Sequence, residues 1–187
     1  MDDPAYRLAA SRLFLAQEDV TAIEALARPL APGACVVDLG AGSGTTALAV
    51  FCANPAVRVY TVDRDYDALV WAQRNVQPYF PDVAHVTILS DADRAEGIVL
   101  AYDVPDVDLL LHDAGHSYND VHRDLIAWWP KLKPGAYVWV HDFGSPPWGG
   151  GSYPEVAQAV EALVVAGHYD DVAITGMGWI GRKPDAS

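Results

Sequence analysis

Five short runs rich in Val, Leu and Ile recur along the chain: Ala34 to Leu39, Val57 to Val62, Val86 to Leu89, Val107 to Leu111 and Ala136 to Val140. Each is nearly continuous in apolar residues, as strands covered on both faces should be. Stretches of helical periodicity separate them, at 45–54, 66–77, 93–101 and 118–129, with another at 154–167 after the fifth run. Strands that alternate strictly with helices across short loops imply right-handed crossovers onto a parallel sheet. The expected fold is therefore α/β, doubly wound, with helices on both faces. The tail, Val172 to Thr175 and then Met177 to Gly181 around a glycine turn, adds two expected strands, for seven in all.

Before the first strand, residues 5–28 carry Leu8, Leu13, Ile23 and Leu26 at helical spacing, and Pro29 to Gly33 then break the pattern. One or two appended N-terminal helices are expected there. The 187 residues suit a single domain, 1–187, divided into a helical extension over 1–32 and a core over 33–187. Ser117 with Asp120 three residues on reads as a capping box, and Ser152 with Glu155 repeats the spacing before the last helix. Gly144 to Gly151 is too rich in Gly and Pro for regular structure, and its Trp148, with Tyr153 beyond, is placed to fold over a substrate.

With 25 acids against 12 Lys plus Arg, the formal net charge is −13, which argues against nucleic acid and anionic membranes as partners. No apolar run reaches the roughly 18 residues of a membrane span, and the first residues lack the basic and apolar stretches of a signal peptide. A soluble, cytoplasmic protein is expected. Cys35 and Cys52 lie in apolar segments and read as small buried hydrophobes. Twenty of the 25 acids are Asp, an excess that helix surfaces needing only solubility would not use.

The positions of those aspartates carry the chemistry. Val36-Val37-Asp38-Leu39-Gly40-Ala41-Gly42-Ser43-Gly44 ends the first strand in an acid and a glycine-rich turn, where backbone can approach a ligand closely and the next helix points its amides at the same crevice. Asp63 ends the second strand, 25 residues later, where a carboxylate can accept both hydroxyl hydrogens of a ribose. Turn and acid together imply an adenosine cofactor. A dinucleotide fingerprint would need its third glycine where Thr45 stands, and the carboxylate of Asp38 beside the turn suits a cationic ligand better than a pyrophosphate.

The Asp-x-Gly-x-Gly-x-Gly run closely resembles the first motif of class I S-adenosylmethionine-dependent methyltransferases, which have a Rossmann-like core. The resemblance implies that the turn, Asp38, Gly40, Ala41, Gly42 and Ser43, lies under the amino-acid end of the cofactor. It implies that Asp63, followed by Arg64, binds the ribose. Leu89-Ser90-Asp91-Ala92 falls where the family contacts the adenine amino group, which assigns Asp91 and Ala92 to that end.

Four of the six histidines fall between positions 112 and 141. If the fourth and fifth strands are neighbours, Leu111-His112-Asp113 and Val140-His141-Asp142 converge at the carboxyl edge of the sheet, where ligands bind. Carboxylates with one imidazole suit Mg²⁺, Mn²⁺ or a related ion. His112 is expected to point into the sheet packing, His122 to face solvent, and His85 and His168 belong to no constellation. Trp128 and Trp129 read as core aromatics.

This region, from about 34 to 168, also resembles a narrower group, the small-molecule methyltransferases with an Asp-Gly-Asp-His-Ser-Tyr run and a later His-Asp-Tyr. The matching segments are Asp113-Ala114-Gly115-His116-Ser117-Tyr118, with Asp120, Val121, Asp124 and Leu125 following, and Leu132-Lys133-Pro134-Gly135 leading to His141-Asp142-Phe143, with Gly115 where the group has its second Asp. Carried over from metal-dependent O-methyltransferases of the catechol type, the resemblance implies Asp113, His141 and Asp142 around a divalent ion. It also implies His116 as base, with Asp113 serving the cofactor end and catalysis as well. The expected activity is transfer of a methyl group from S-adenosylmethionine to a hydroxyl of a small molecule, by a chain that could be a homodimer. The alternatives are an NAD(P)-dependent reductase, disfavoured by Thr45 and Asp38, and a cofactor-binding module without turnover, for which Gly115 is the hint.

Overall fold

A computed structural model describes residues 15–144 and 153–185. Its elements, in chain order, are α1 (Gln17–Ala27), β1 (Cys35–Leu39), α2 (Thr45–Ala53), β2 (Arg58–Asp63), α3 (Tyr66–Val76), β3 (Ala84–Leu89), α4 (Ala95–Tyr102) and β4 (Val107–His112). After these come α5 (Tyr118–Trp128), a 3₁₀ turn (Trp129–Lys131), β5 (Leu132–Val140), α6 (Pro154–Val165), β6 (Asp170–Thr175) and β7 (Gly178–Arg182). The seven strands form one sheet in the order β3-β2-β1-β4-β5-β7-β6. β1 to β5 are parallel, and β7 runs antiparallel between β5 and β6. The chain winds outward from β1 in both directions, so the crevice beyond the β1 and β4 carboxyl ends is where such a sheet binds its ligand.

The near-continuous apolar runs are explained by what covers them. β1 is buried at all five positions. Val37, Leu39, Leu110 and Val138 face a core filled by Ile98 of α4, Val121, Leu125 and Trp128 of α5, and Val160 and Leu163 of α6. Val36, Val59, Leu109 and Trp139 face the opposite core with Ile23 of α1, Leu48 and Phe51 of α2, and Val76 of α3. Neither face of these central strands meets water.

The expected elements are present, with shifted ends. β3 begins two residues before Val86. β5 begins at Leu132, before the expected Ala136, with Lys133-Pro134-Gly135 carried as an irregular start of the strand, marked by a register shift between Val107 and Leu109 of β4. The Ser117 cap forms as expected, its hydroxyl accepting from the Asp120 amide at 3.2 Å. Leu8, Leu13, Trp148 and Ser152 lie outside the described residues. At α6 the N-cap position is Tyr153, with no side-chain cap, and Glu155 accepts from the Tyr118 amide at 2.8 Å instead. No helix among the described residues is long and apolar enough to cross a membrane.

Candidate functional site

The turn after β1 is tied on two sides. Gly40 donates to the Val62 carbonyl at 2.9 Å and has φ +98°, and a Cβ there would run into the carbonyl of Asp113. Gly44 caps α2 at φ +79°, with Ala72 of α3 2.7 Å from where its Cβ would stand. Only glycine lets the β1 turn pass this close to both neighbours. Asp63 locks the arrangement: one carboxylate oxygen accepts from the Ala41 amide and the other from the Asp65 amide, each at 2.8 Å. Charge-assisted bonds to backbone amides hold a carboxylate in one orientation.

Above this turn lies a cleft of about 260 Å³. Of the ten residues expected at the cofactor, Gly40, Gly42, Asp63, Arg64, Asp91, Ala92 and Asp113 line it, and Asp38, Ala41 and Ser43 do not. Asp38 lies deeper than the cleft wall. It is fully buried beneath the turn, accepting from the Thr61 hydroxyl at 3.2 Å, and Thr61 in turn meets His85 Nε2 at 3.0 Å. Burial pushes the Asp38 carboxyl up to about 7, against hydrogen bonds from Thr46 and Thr61. It braces the strand ends and makes no wall of the cleft. Ala41 gives its amide to Asp63, and the Ser43 carbonyl takes the Asn75 side chain at 2.8 Å, so these two fix the turn.

The ends of β4 and β5 do meet. The His141 amide donates to the His112 carbonyl at 2.9 Å, and the Asp113 amide to the Leu39 carbonyl at 2.8 Å. His141 Nδ1 then lies 3.0 Å from Asp113 Oδ1 and 3.5 Å from Asp142 Oδ1. Asp142, at φ +59°, is one of the two non-glycine residues described with positive φ, a conformation Asp tolerates better than most residues. That turn sends its second oxygen to His116 Nε2, 2.8 Å away. Asp113, His141 and Asp142 offer ligand atoms that all lie within 4.8 Å of one another. An oxygen, nitrogen and oxygen set of this spacing fits a hard divalent ion.

The charges are coupled. Burial alone would depress the His141 imidazole, yet its hydrogen bond to Asp113 and the neighbouring carboxylates of Asp19 and Asp142 raise it to about 10. His116 is raised by its hydrogen bond to Asp142, against burial. Asp142 is opposed by burial and still held below the usual carboxylate range by its bond to His116 and the two histidine charges. The His116 ring stacks on Tyr153 at 4.3 Å between centroids, which places Tyr153 beside the His116–Asp142 contact.

Two acids had no role in the sequence reading, Asp19 unnamed and Asp124 named only within the segment that follows Tyr118. Asp19, on α1, is wholly buried, accepts from the Met177 amide at 3.0 Å and sets its other oxygen 3.6 Å from His141 Nε2. Asp124, on α5, lies 3.1 Å from His112 Nε2, so His112 is buried as expected but is paired with an acid. Both acids interrupt an apolar helical stripe, Asp19 beside Ala22 and Ile23, Asp124 beside Val121 and Trp128, and that interruption was the available signal. His85 does belong to a constellation, through Thr61 and Asp38. His122 is half-buried and stacks on Tyr118 at 5.5 Å, where a solvent-facing ring was expected. Gly115 also reads differently. A Cβ there would come within 2.5 Å of the Asp120 side chain, so the space beside position 115 is already taken by a carboxylate from α5.

A doubly wound sheet with this turn, the β2 acid tied to it and a cleft at the β1–β4 divide is the architecture of class I S-adenosylmethionine-dependent methyltransferases. Residues 37–143, more than half the chain, match the family model described as "Methyltransferase domain", and the chain belongs to that family. Solved structures share the fold at low identity. Cofactor-bound Rv0187 from MTB aligns with TM-score 0.76 and 17% identity over 99% of this chain and 92% of its own. An O-methyltransferase from Bacillus cereus in complex with SAH gives 0.70 and 11% over the same shares, 99% and 92%. Among curated proteins, the ribosomal RNA large subunit methyltransferase G of Alcanivorax borkumensis is 45% identical over 60 residues. That match covers 32% of this chain and only 15% of the relative's length.

Proposed function

We propose that the chain methylates a hydroxyl of a small molecule, with His116 as the base and Asp113, His141 and Asp142 as the holders of a divalent ion. The observation that carries this reading is the cluster of His116, Asp142, His141 and Asp113, which reaches the cleft through Asp113. The cofactor's ribose is assigned to Asp63 and Arg64, its base to the side of Asp91 and Ala92, and its amino-acid end to the Gly40 and Gly42 turn.

The chemistry follows from the His116 contact. With Nε2–H donated to Asp142, the imidazole presents its Nδ1 lone pair to an acceptor hydroxyl. The hydroxyl proton passes to Nδ1 as the oxygen attacks the sulfonium methyl. The carbon–sulfur bond breaks with its electron pair going to sulfur, leaving neutral S-adenosylhomocysteine. Asp142 stabilises the imidazolium that results. A divalent ion bound by the three donors would supply Lewis acidity, lowering the pKa of the acceptor hydroxyl. Tyr153, stacked on His116, offers an aromatic wall for the acceptor.

A net charge of −13 opposes a polyanionic acceptor and favours a small one. The partial match to a ribosomal RNA methyltransferase favours RNA as a second reading. The test is methyl transfer from labelled S-adenosylmethionine to a panel of phenols, catechols and sugars, beside ribosomal RNA, with and without chelator. Transfer to a phenol or sugar that chelation abolishes is expected. Activity that survives chelation reassigns Asp113 and Asp142 to hydrogen bonding of the acceptor, and transfer to RNA alone overturns the small-molecule reading.

A further inference from the structure

We propose that Asp124 accepts the 6-amino group of the cofactor's adenine and so selects the purine, an assignment that rests on S-adenosylmethionine being the cofactor. Asp124 lines the cleft from the second turn of α5 yet is only 2% exposed. His112 engages Oδ2 at 3.1 Å, while Oδ1 is buried without a hydrogen-bond partner. The nearest cation, Arg123 Nε at 3.8 Å, is too distant for a hydrogen bond. A buried carboxylate oxygen left without a donor is costly, and a ligand N–H delivered along the cleft removes that cost.

The position of Asp124 decides which part of the cofactor reaches it. The reacting methyl must face Asp113 and His116, at the β4 and β5 ends. With the ribose at Asp63 on β2, the base extends the other way, toward the loop after β3. α5 is joined to that loop twice, by Arg123 Nε to Asp93 at 3.0 Å and by Trp128 Nε1 to the Ala92 carbonyl at 2.8 Å. Asp124 therefore stands at the base end. Adenine presents two amino hydrogens there, whereas a 6-oxo purine would set a carbonyl oxygen against the carboxylate. Asp91 borders the same end, but its carboxylate is 51% exposed and paired with Arg94, so water replaces any contact it loses and it selects little. The Arg123 side chain over Oδ1 is 56% exposed and can move without disturbing packed atoms.

The experiment is calorimetric binding of S-adenosylhomocysteine and of its deaminated analogue, S-inosylhomocysteine, to the wild type, Asp124→Asn and Asp91→Asn, with thermal melting as the fold control. The wild type should prefer the adenosyl ligand by at least about tenfold, because a site built to pair a donor rejects the analogue lacking it. Asp124→Asn should erase or invert the preference, since an amide can donate to the 6-carbonyl, and Asp91→Asn should leave it intact. Equal binding of both ligands to the wild type, or a folded Asp124→Asn protein with the wild-type ratio, overturns the proposal. Loss of the preference in Asp91→Asn does so as well, and that variant decides alone if Asp124→Asn does not fold. A wild type that binds neither ligand fails the cofactor reading itself, a distinct result.

Discussion

The β1–β3 edge and the β4–β5 edge form one continuous rim, yet they are built by opposite means. At β1 to β3 the backbone does most of the work: a glycine turn is threaded between the Asp113 carbonyl and α3, and Asp63 holds it by two amides. At β4 and β5 the work falls to side chains, with three carboxylates from α1, β4 and β5 closing on the His141 ring. A rim made from backbone tolerates no added atoms, and a rim made from titratable groups responds to each charge removed. The two edges should therefore fail differently.

The largest effect is expected at Gly40. Gly40→Val forces a branched side chain into φ +98° and into the Asp113 carbonyl, so stability should fall by about 3 kcal/mol or more and cofactor binding should vanish. Calorimetry with S-adenosylhomocysteine beside a denaturant melt checks this, and near-normal binding would show that the turn is not a rigid floor. His116→Ala comes next. Turnover should drop about 10²-fold or more while cofactor affinity holds, measured by labelled methyl transfer and calorimetry. Retained turnover would remove His116 from the chemistry and make the second edge purely structural. Asp63→Ala should weaken S-adenosylmethionine by more than about tenfold, through the ribose contact and the loosened turn together. Unchanged affinity would dissolve the ribose assignment.

The smallest effect is a pair of pH slopes beneath the turn. The Asp38 carboxyl is raised in the folded state to about 7, so its contribution to stability is complete below about pH 4 and is lost as pH rises through 7. His85 is lowered by burial to about 4, so its contribution is complete above about pH 6.5 and is lost as pH falls through 4. Thr61 joins the two, and across pH 4 to 7 their slopes oppose each other. The wild-type melting temperature should therefore vary little over that range. Asp38→Asn should make it climb with pH, and His85→Gln should make it decline. Parallel slopes in the two variants would break the opposition.

Each edge was legible to the degree that its determinants lie close together in sequence. Gly40, Gly42, Gly44 and Asp63 announce themselves because turn geometry is a local property, and the parallel sheet follows from the alternation of strands and helices. Asp113, His116, His141 and Asp142 could be gathered because two adjacent strands end in His-Asp pairs. The place of Asp38 in the motif is clear from spacing, whereas its burial and its bond from Thr61 of β2 could not be read from it. Asp19, and the role of Asp124, escaped because a buried acid on a helix differs from a solvated one only through partners more than ten residues away: Met177 and His141 for one, His112 for the other.

Asp19 also limits how freely this protein can be recombined. Its carboxylate closes against His141 from α1 and fastens the β6–β7 turn through the Met177 amide, while Gly176 leaves the room it occupies. A chimera that joins residues 33–187 to a leading helix borrowed from another protein would inherit a histidine between two acids where three are built to surround it. Domain shuffling can succeed here only if the donor helix brings an acid at the matching turn.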